Sequence, residues 1–363
     1  MTELETKLDQ IDSLLKAQGL DALLLQKVSS FAWATCGAAS YVNTAATDGA
    51  ASLLVTAKGR YVLTNNIEAT RIDQEEKLAA QGWQIRAGQW YVGQDTVGQL
   101  VGNRKLGADS SFPGAKDLSS ELARMRANLT EAEGERFREL GRLCAESMDR
   151  AIRAVEPRMT ENQIAALLAR EAQSRGVQPI VNLIATDERI FKFRHPLPTD
   201  KLMDRYAMLV LCGRRWGLVC SLTRLVHFGR LPAELQSKSL AVAKVDATVI
   251  TETCPGRTLG EIFARTQTAY AEAGYLDEWK LHHQGGPAGY EPREYIATPG
   301  GQDMVNLGQA YAWNPSITGT KSEDTVLVGK TGNEILTRIH GWPVLTVKIG
   351  EKQVERPAIL EIA

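Results

Sequence analysis

Residues 207–229 read AMLVLCGRRWGLVCSLTRLVHFG, two apolar, β-prone runs on either side of a Gly-Arg-Arg-Trp-Gly break, and the neighbouring elements can be placed outward from them. Upstream, Thr160 and Gln163 precede the apolar run IAALLA at 164–169. At this spacing a capping hydroxyl and a side chain three residues on satisfy each other's backbone donors, so a helix is expected to start there. Thr130 with Glu133 and Thr258 with Glu261 repeat the signal, and the last of these helices runs to a stop at Gly274. Phe137, Leu140, Leu143 and Met148 form a buried stripe along the helix that begins at 130. Downstream, QAYAWNPSI (309–317), EDTVLVG (323–329) and NEILT (333–337) read as further strands. Helices and strands in this arrangement predict an α+β domain.

The first third has a different texture. Leu14 and Leu15, then Ala22, Leu23, Leu24 and Leu25, lead from a helix into a strand. SLLVTAKGRYVLT (52–64) reads as a hairpin turning at Lys58-Gly59. A smaller α/β domain is expected, and the change of character near Asn128 places the domains at 1–128 and 129–363.

Composition narrows the function classes. The chain has 363 residues, 44% hydrophobic and 23% charged, enough to build two cores. Its 42 Lys+Arg against 43 Asp+Glu leave a net charge of -1, so no global field draws it to nucleic acid or to an anionic membrane. The five cysteines (Cys36, Cys144, Cys212, Cys220, Cys254) are odd in number and form no CxxC pair. With the polar opening MTELETKLDQ, they suggest reduced thiols in a cytoplasmic protein without a signal peptide. No run approaches the roughly 18 to 20 apolar residues of a membrane span.

Five stretches carry a family likeness in their order: PRMTENQIAALL (157–168), RHPLPTD (194–200), GRRWGLVCSLTR (213–224), HHQGGPAGY (282–290) and GTKSEDTVLVGKTGNEILT (319–337). Over roughly residues 129–340 they resemble the pita-bread family of prolidase, aminopeptidase P, methionine aminopeptidase and creatinase. The first domain is similar to that family's creatinase-type N-terminal domain. The resemblance therefore implies a pita-bread C-terminal domain behind a smaller N-terminal one.

Peptidases of that family hold two metal ions with two Asp, one His and two Glu, because hard cations want anionic oxygen donors. Carried onto this chain, the first Asp falls at Val210 or Leu211, the second at Ser221, the His at Gly286 and the first Glu at Asn314. Only Glu323 is retained. The expectation is therefore no metal and no cofactor. The histidines (His195, His227, His282, His283, His340) are not expected to supply a substitute, since adjacent His282 and His283 in a strand would point to opposite faces.

Creatinase and its relatives break small C–N bonds without metal, using a histidine as acid and base, and the resemblance assigns this role to His195 with Glu323 as its partner. Imidazole is suited to it because its pKa lies near neutrality. His282 matches the family's other substrate-side histidine. Arg293 stands where the family usually has a histidine, and a permanently charged guanidinium there implies an anionic substrate group. It could equally pair with Glu294 or Glu323. Lys321 is expected on the same side as Glu323 and could replace positive charge lost with the metals. Asn314 and Ser221 offer neutral hydrogen bonds, and Tyr290 an apolar wall with a polar tip. The reading is a metal-independent hydrolase of a small carboxylate-bearing substrate, cytoplasmic and homodimeric, with no nucleic-acid or membrane partner. The alternatives are a pita-bread binding protein without catalysis and a metal-dependent Xaa-Pro aminopeptidase or prolidase.

Overall fold

The capping boxes form as the spacing requires. Thr130 Oγ1 accepts from the Glu133 N–H at 3.3 Å while the Glu133 carboxylate accepts from the Thr130 N–H at 2.6 Å. Thr160 with Gln163 and Thr258 with Glu261 do the same, and Thr2 with Glu5 adds a fourth. The computed structural model describes residues 1–93 and 95–363. Contacts between Cα atoms divide the chain into two compact units, Met1–Arg126 with Trp216–Leu218, and Ala127–Arg215 with Val219–Ala363.

In the first unit, α1 (Glu3–Gln18), β1 (Ala22–Lys27), α2 (Val28–Ala34), β2 (Asp48–Thr56), β3 (Gly59–Asn65), α3 (Ala69–Gln74), β4 (Gln84–Gly88), α4 (Thr96–Val101), β5 (Leu106–Ala108), β6 (Lys116–Asp117) and α5 (Ser119–Ala127) follow in order. The sheet order is β4-β3-β2-β1-β5-β6. Strands β2 and β3 form the expected hairpin with Thr56 opposite Gly59, so the turn residues are Ala57 and Lys58. Leu23, Leu24, Leu53, Leu54 and Val62 are fully buried in it.

The second unit opens with α6 (Glu131–Arg153), α7 (Glu161–Gln173) and β7 (Gln178–Thr186), then the hairpin β8 (Tyr206–Arg215) and β9 (Leu218–Phe228). Helices α8 (Ala233–Glu252) and α9 (Leu259–Glu272) follow, then the strands β10 (Gly285–Ala288), β11 (Ala310–Trp313), β12 (Ser316–Ile317), β13 (Thr320–Lys321), β14 (Asp324–Val328), β15 (Asn333–Ile335), β16 (Val344–Ile349), β17 (Lys352–Pro357) and β18 (Leu360–Ile362). One sheet runs β18-β9-β8-β7 and another β10-β11-β14-β15. A bridge between Thr223 and Glu323 ties β9 to the segment just before β14. No helix among the described residues is long and apolar enough to cross a membrane.

Under that bridge lies a buried charge network. Arg224 donates to the Thr223 and Glu323 carbonyls at 2.8 and 3.1 Å and to Asp324 Oδ1 at 2.8 Å. Arg356 reaches Asp246 at 2.7 Å and Asp324 at 2.5 Å. Burial alone would raise both carboxyls; Arg224 and Arg356 hold Asp324 below its usual range, whereas Asp246, paired with Arg356, stays above it. Removing one partner of such a set strands buried charge and costs about 3–5 kcal/mol. Arg356→Met is therefore expected to lose stability on that scale in denaturant unfolding, and a loss below about 1 kcal/mol would contradict the role assigned to the network.

Candidate active site

Glu323 is 2% exposed, and each of its oxygens is taken. Lys321 Nζ lies 2.7 Å from Oε2, Thr223 Oγ1 donates to Oε2 at 2.5 Å, and Arg293 donates to Oε1 at 3.1 Å. Burial would push this carboxyl up; Lys321 first and Arg293 second overcome it and hold the pKa down to about 2. Lys321 and Glu323 meet on the same side, although β13 ends between them. Arg293 chooses Glu323 over Glu294, whose Oε1 accepts from the Tyr290 N–H at 2.8 Å. It also donates to Ser221 Oγ at 3.2 Å, and Ser221 in turn donates to Cys212 Sγ at 3.2 Å. Two cations share one carboxylate, so these groups carry a net positive charge.

His195 lies in the loop between β7 and β8, and two carboxylates shape that loop. Asp187, at φ 49°, accepts from the N–H groups of Asp204, Arg205 and Tyr206 at 2.8–3.0 Å and from Lys201 Nζ at 2.8 Å. Glu161, fully buried at the start of α7, accepts from the N–H groups of Thr186 at 2.8 Å and Thr199 at 3.0 Å, and pairs with Arg189. Arg194 then reaches Glu278 at 2.8 Å and Thr318 at 3.0 Å. Glu278 belongs to a 3-10 turn, Glu278–Leu281, that ends at His282, so Arg194 brings His195 beside it.

The nitrogens His195 Nε2 and His282 Nε2 are 3.1 Å apart. His283 joins them, with its ring centroid 4.4 Å from that of His282 and 5.8 Å from that of His195. This corrects the expectation that His282 and His283 face opposite ways. Strand β10 begins only at Gly285, so strand alternation does not govern the pair. Burial, then Lys321, lowers the His195 pKa and pushes that of His282 down to about 2. Burial, then Arg293, takes His283 down to about 4.

Against known families, residues 135–330 match Metallopeptidase family M24. The chain belongs to that family. An uncharacterized peptidase of Staphylococcus saprophyticus is 25% identical over 235 residues, covering 61% of this chain and 65% of its own, so the match spans less than two thirds of that relative. Agropine synthesis cyclase of Rhizobium rhizogenes is 29% identical over 154 residues, 39% of each chain. Among solved structures, the prolidase of Pyrococcus horikoshii superposes with a TM-score of 0.78 at 19% identity, covering 92% of this chain and 99% of the other. At that identity the likeness is one of fold: the pita-bread architecture with its N-terminal domain.

At the positions matched to the M24 ligands the structure places few donors. Val210 packs in an apolar cluster with Met208 and Leu225, Leu211 is fully buried, and the β8 side chain in contact with Ser221 is instead Cys212. Burial, then Glu323, raises the Cys212 thiol to about 11, which leaves it protonated. A Cβ on Gly286 would sit 2.2 Å from the Tyr295 carbonyl oxygen, and one on Gly285, at φ +116°, would sit 2.2 Å from that of Ala312. Backbone therefore fills the space of the matched histidine. Asn314 is buried and its Oδ1 has no hydrogen-bond partner among the described residues.

Two further expectations need correction. Glu323 was expected to bind a cationic nitrogen or to steady the imidazolium of His195, and with Lys321, Thr223 and Arg293 on its oxygens the first of these is closed. Tyr290 was expected to line the substrate, but its hydroxyl donates to Glu133 at 2.7 Å and so fastens the start of α6. Thr223, Cys212 and His283 were not among the expected site residues, and the two loop carboxylates were not singled out.

Gly286→His is expected to lower the melting temperature without gaining bound metal in elemental analysis. Recovery of two bound ions would contradict the steric account. Asp187 has a lowered folded pKa, since Lys201 and the three N–H groups outweigh burial, so its stabilisation is full above the unfolded value of about 3.9 and is lost as pH falls through the folded value. Asp187→Asn should lower stability at neutral pH and flatten the acid limb of the melting curve below about pH 4. An unchanged acid limb would remove Asp187 as the clamp.

Proposed function

We propose that this M24 chain is a metal-independent hydrolase that breaks a C–N bond in a small polar substrate bearing a carboxylate. The observation that carries the reading is the surviving Glu323 carboxylate, bonded to Lys321 and Arg293 beside a histidine pair. The donor set does not fit the family's two divalent ions. One carboxylate already neutralised by two cations, a hydroxyl, an amide and a glycine cannot offset the desolvation of a dinuclear centre.

The excess positive charge of Lys321 and Arg293 over Glu323 favours an anionic group, and a guanidinium orients a carboxylate through parallel N–H bonds. His195 is the proton carrier. Its imidazole takes a proton from water as the oxygen adds to the substrate carbon, and returns it to the departing nitrogen as the C–N bond breaks. His282 fixes the ring through the nitrogen contact. Glu323 keeps the two cations in place and electrostatically favours the imidazolium that forms. Asn314 and Ser221 supply neutral polar contacts to the substrate.

A second reading comes from the match to a cyclase: the same imidazole could carry the proton for ring closure within the substrate, without water. Whether the product gains the mass of a water separates the two.

The test is a mass-spectrometric screen of small acylamino, amidino and guanidino acids with chelator present. Turnover that survives chelation and falls by roughly 10²–10⁴ in His195→Ala is the expected result. Turnover only after manganese or cobalt is added, or turnover indifferent to His195→Ala, would contradict the proposal.

A further inference from the structure

The imidazoles of His195, His282 and His283 come from two separate segments, and each offers a nitrogen such that all three lie within 4.8 Å of one another. Two imidazole nitrogens bound to one tetrahedral zinc, each at about 2.0–2.1 Å, lie about 3.3 Å apart. The 3.1 Å between the Nε2 atoms of His195 and His282 is already close to that separation. The third nitrogen, from His283, needs at most about 1.5 Å of closure.

A hydrogen bond between two neutral histidines would account for the 3.1 Å contact. It does not account for Nδ1 of His283, buried and without a hydrogen-bond partner among the described residues. Buried polar atoms in that state are uncommon and call for an explanation.

We infer that His195, His282 and His283 form a mononuclear site for a borderline transition-metal cation of the zinc, nickel or copper class, separate from the family's carboxylate centre. Imidazole nitrogen suits these metals, whereas magnesium, calcium and manganese prefer oxygen. Three histidines leave a fourth position open for water or an anion.

The neighbouring charges bound the affinity. Lys321 and Arg293 repel a dication, and Glu323 offsets only one of them. An anion at the fourth position reduces the mismatch. The site should therefore bind more weakly than a closed structural zinc centre and respond to changing metal supply. Occupation ties up the nitrogen of His195, so the cation acts as an inhibitor. That consequence rests on the reading of His195 as proton carrier, whereas the site itself does not.

Calorimetric titration of the full chain with zinc chloride tests it. One zinc per chain is expected, with no binding of magnesium or manganese, and at least tenfold weaker zinc binding in His283→Ala and in His282→Gln. Cobalt titration of the unmodified chain should give the intense visible absorption of a four-coordinate ion, a readout that does not depend on how the variants fold. Absence of saturable zinc and cobalt binding, or zinc binding unchanged in both variants, overturns the site. Zinc that binds but leaves turnover intact overturns the acid–base role of His195 and supports the site. Zinc that raises turnover does the same.

Discussion

Glu323 keeps its charge in a place almost closed to water because Lys321 and Arg293 both reach it. An isolated carboxylate there would protonate, and a lone lysine or arginine would face the same desolvation. The three groups are mutually dependent, and the rest of the site follows from their balance. Ser221 is held by Arg293, Cys212 by Ser221, and burial, reinforced by the surplus of positive charge, depresses the proton affinity of each histidine. Where other members of this fold family use metal ions to gather negative charge, this chain presents ammonium and guanidinium groups.

The backbone enforces the same difference. Gly285 and Gly286 let β10 approach the carbonyls of Ala312 and Tyr295 so closely that no side chain fits at either position. The buried Arg224–Asp324–Arg356–Asp246 network secures the carbonyl of Glu323 from below. The histidine side is fixed by a different device, a loop clamped by Asp187 and Glu161 and docked through Arg194 onto Glu278. Rigid support on both sides suits a site that must hold charged groups at fixed separations.

Much of the fold was legible because its signals are local. A Thr three residues before a Glu or Gln, ahead of an apolar run, states a helix start by itself, and the hairpin at 52–64 follows from alternation around a turn. The family likeness supplied Glu323, His195 and Arg293 as a group, which no local rule connects. What escaped was set by tertiary geometry. His282 and His283 lie between the 3-10 turn and β10, outside any strand, so strand alternation gave the wrong faces. Cys212 rather than Val210 or Leu211 lies beside Ser221, because only Trp216 and Gly217 join β8 to β9. Tyr290 is bound to Glu133, 157 positions away in sequence, a contact with no sequence signature.

The central claim is that the protein's own cations occupy the carboxylate that a pair of metal ions would need. Anomalous diffraction from crystals soaked in manganese measures this directly. The account predicts no manganese at Glu323, with Lys321 and Arg293 still bonded to it. Two manganese ions bridged by Glu323, with those side chains displaced, would contradict it.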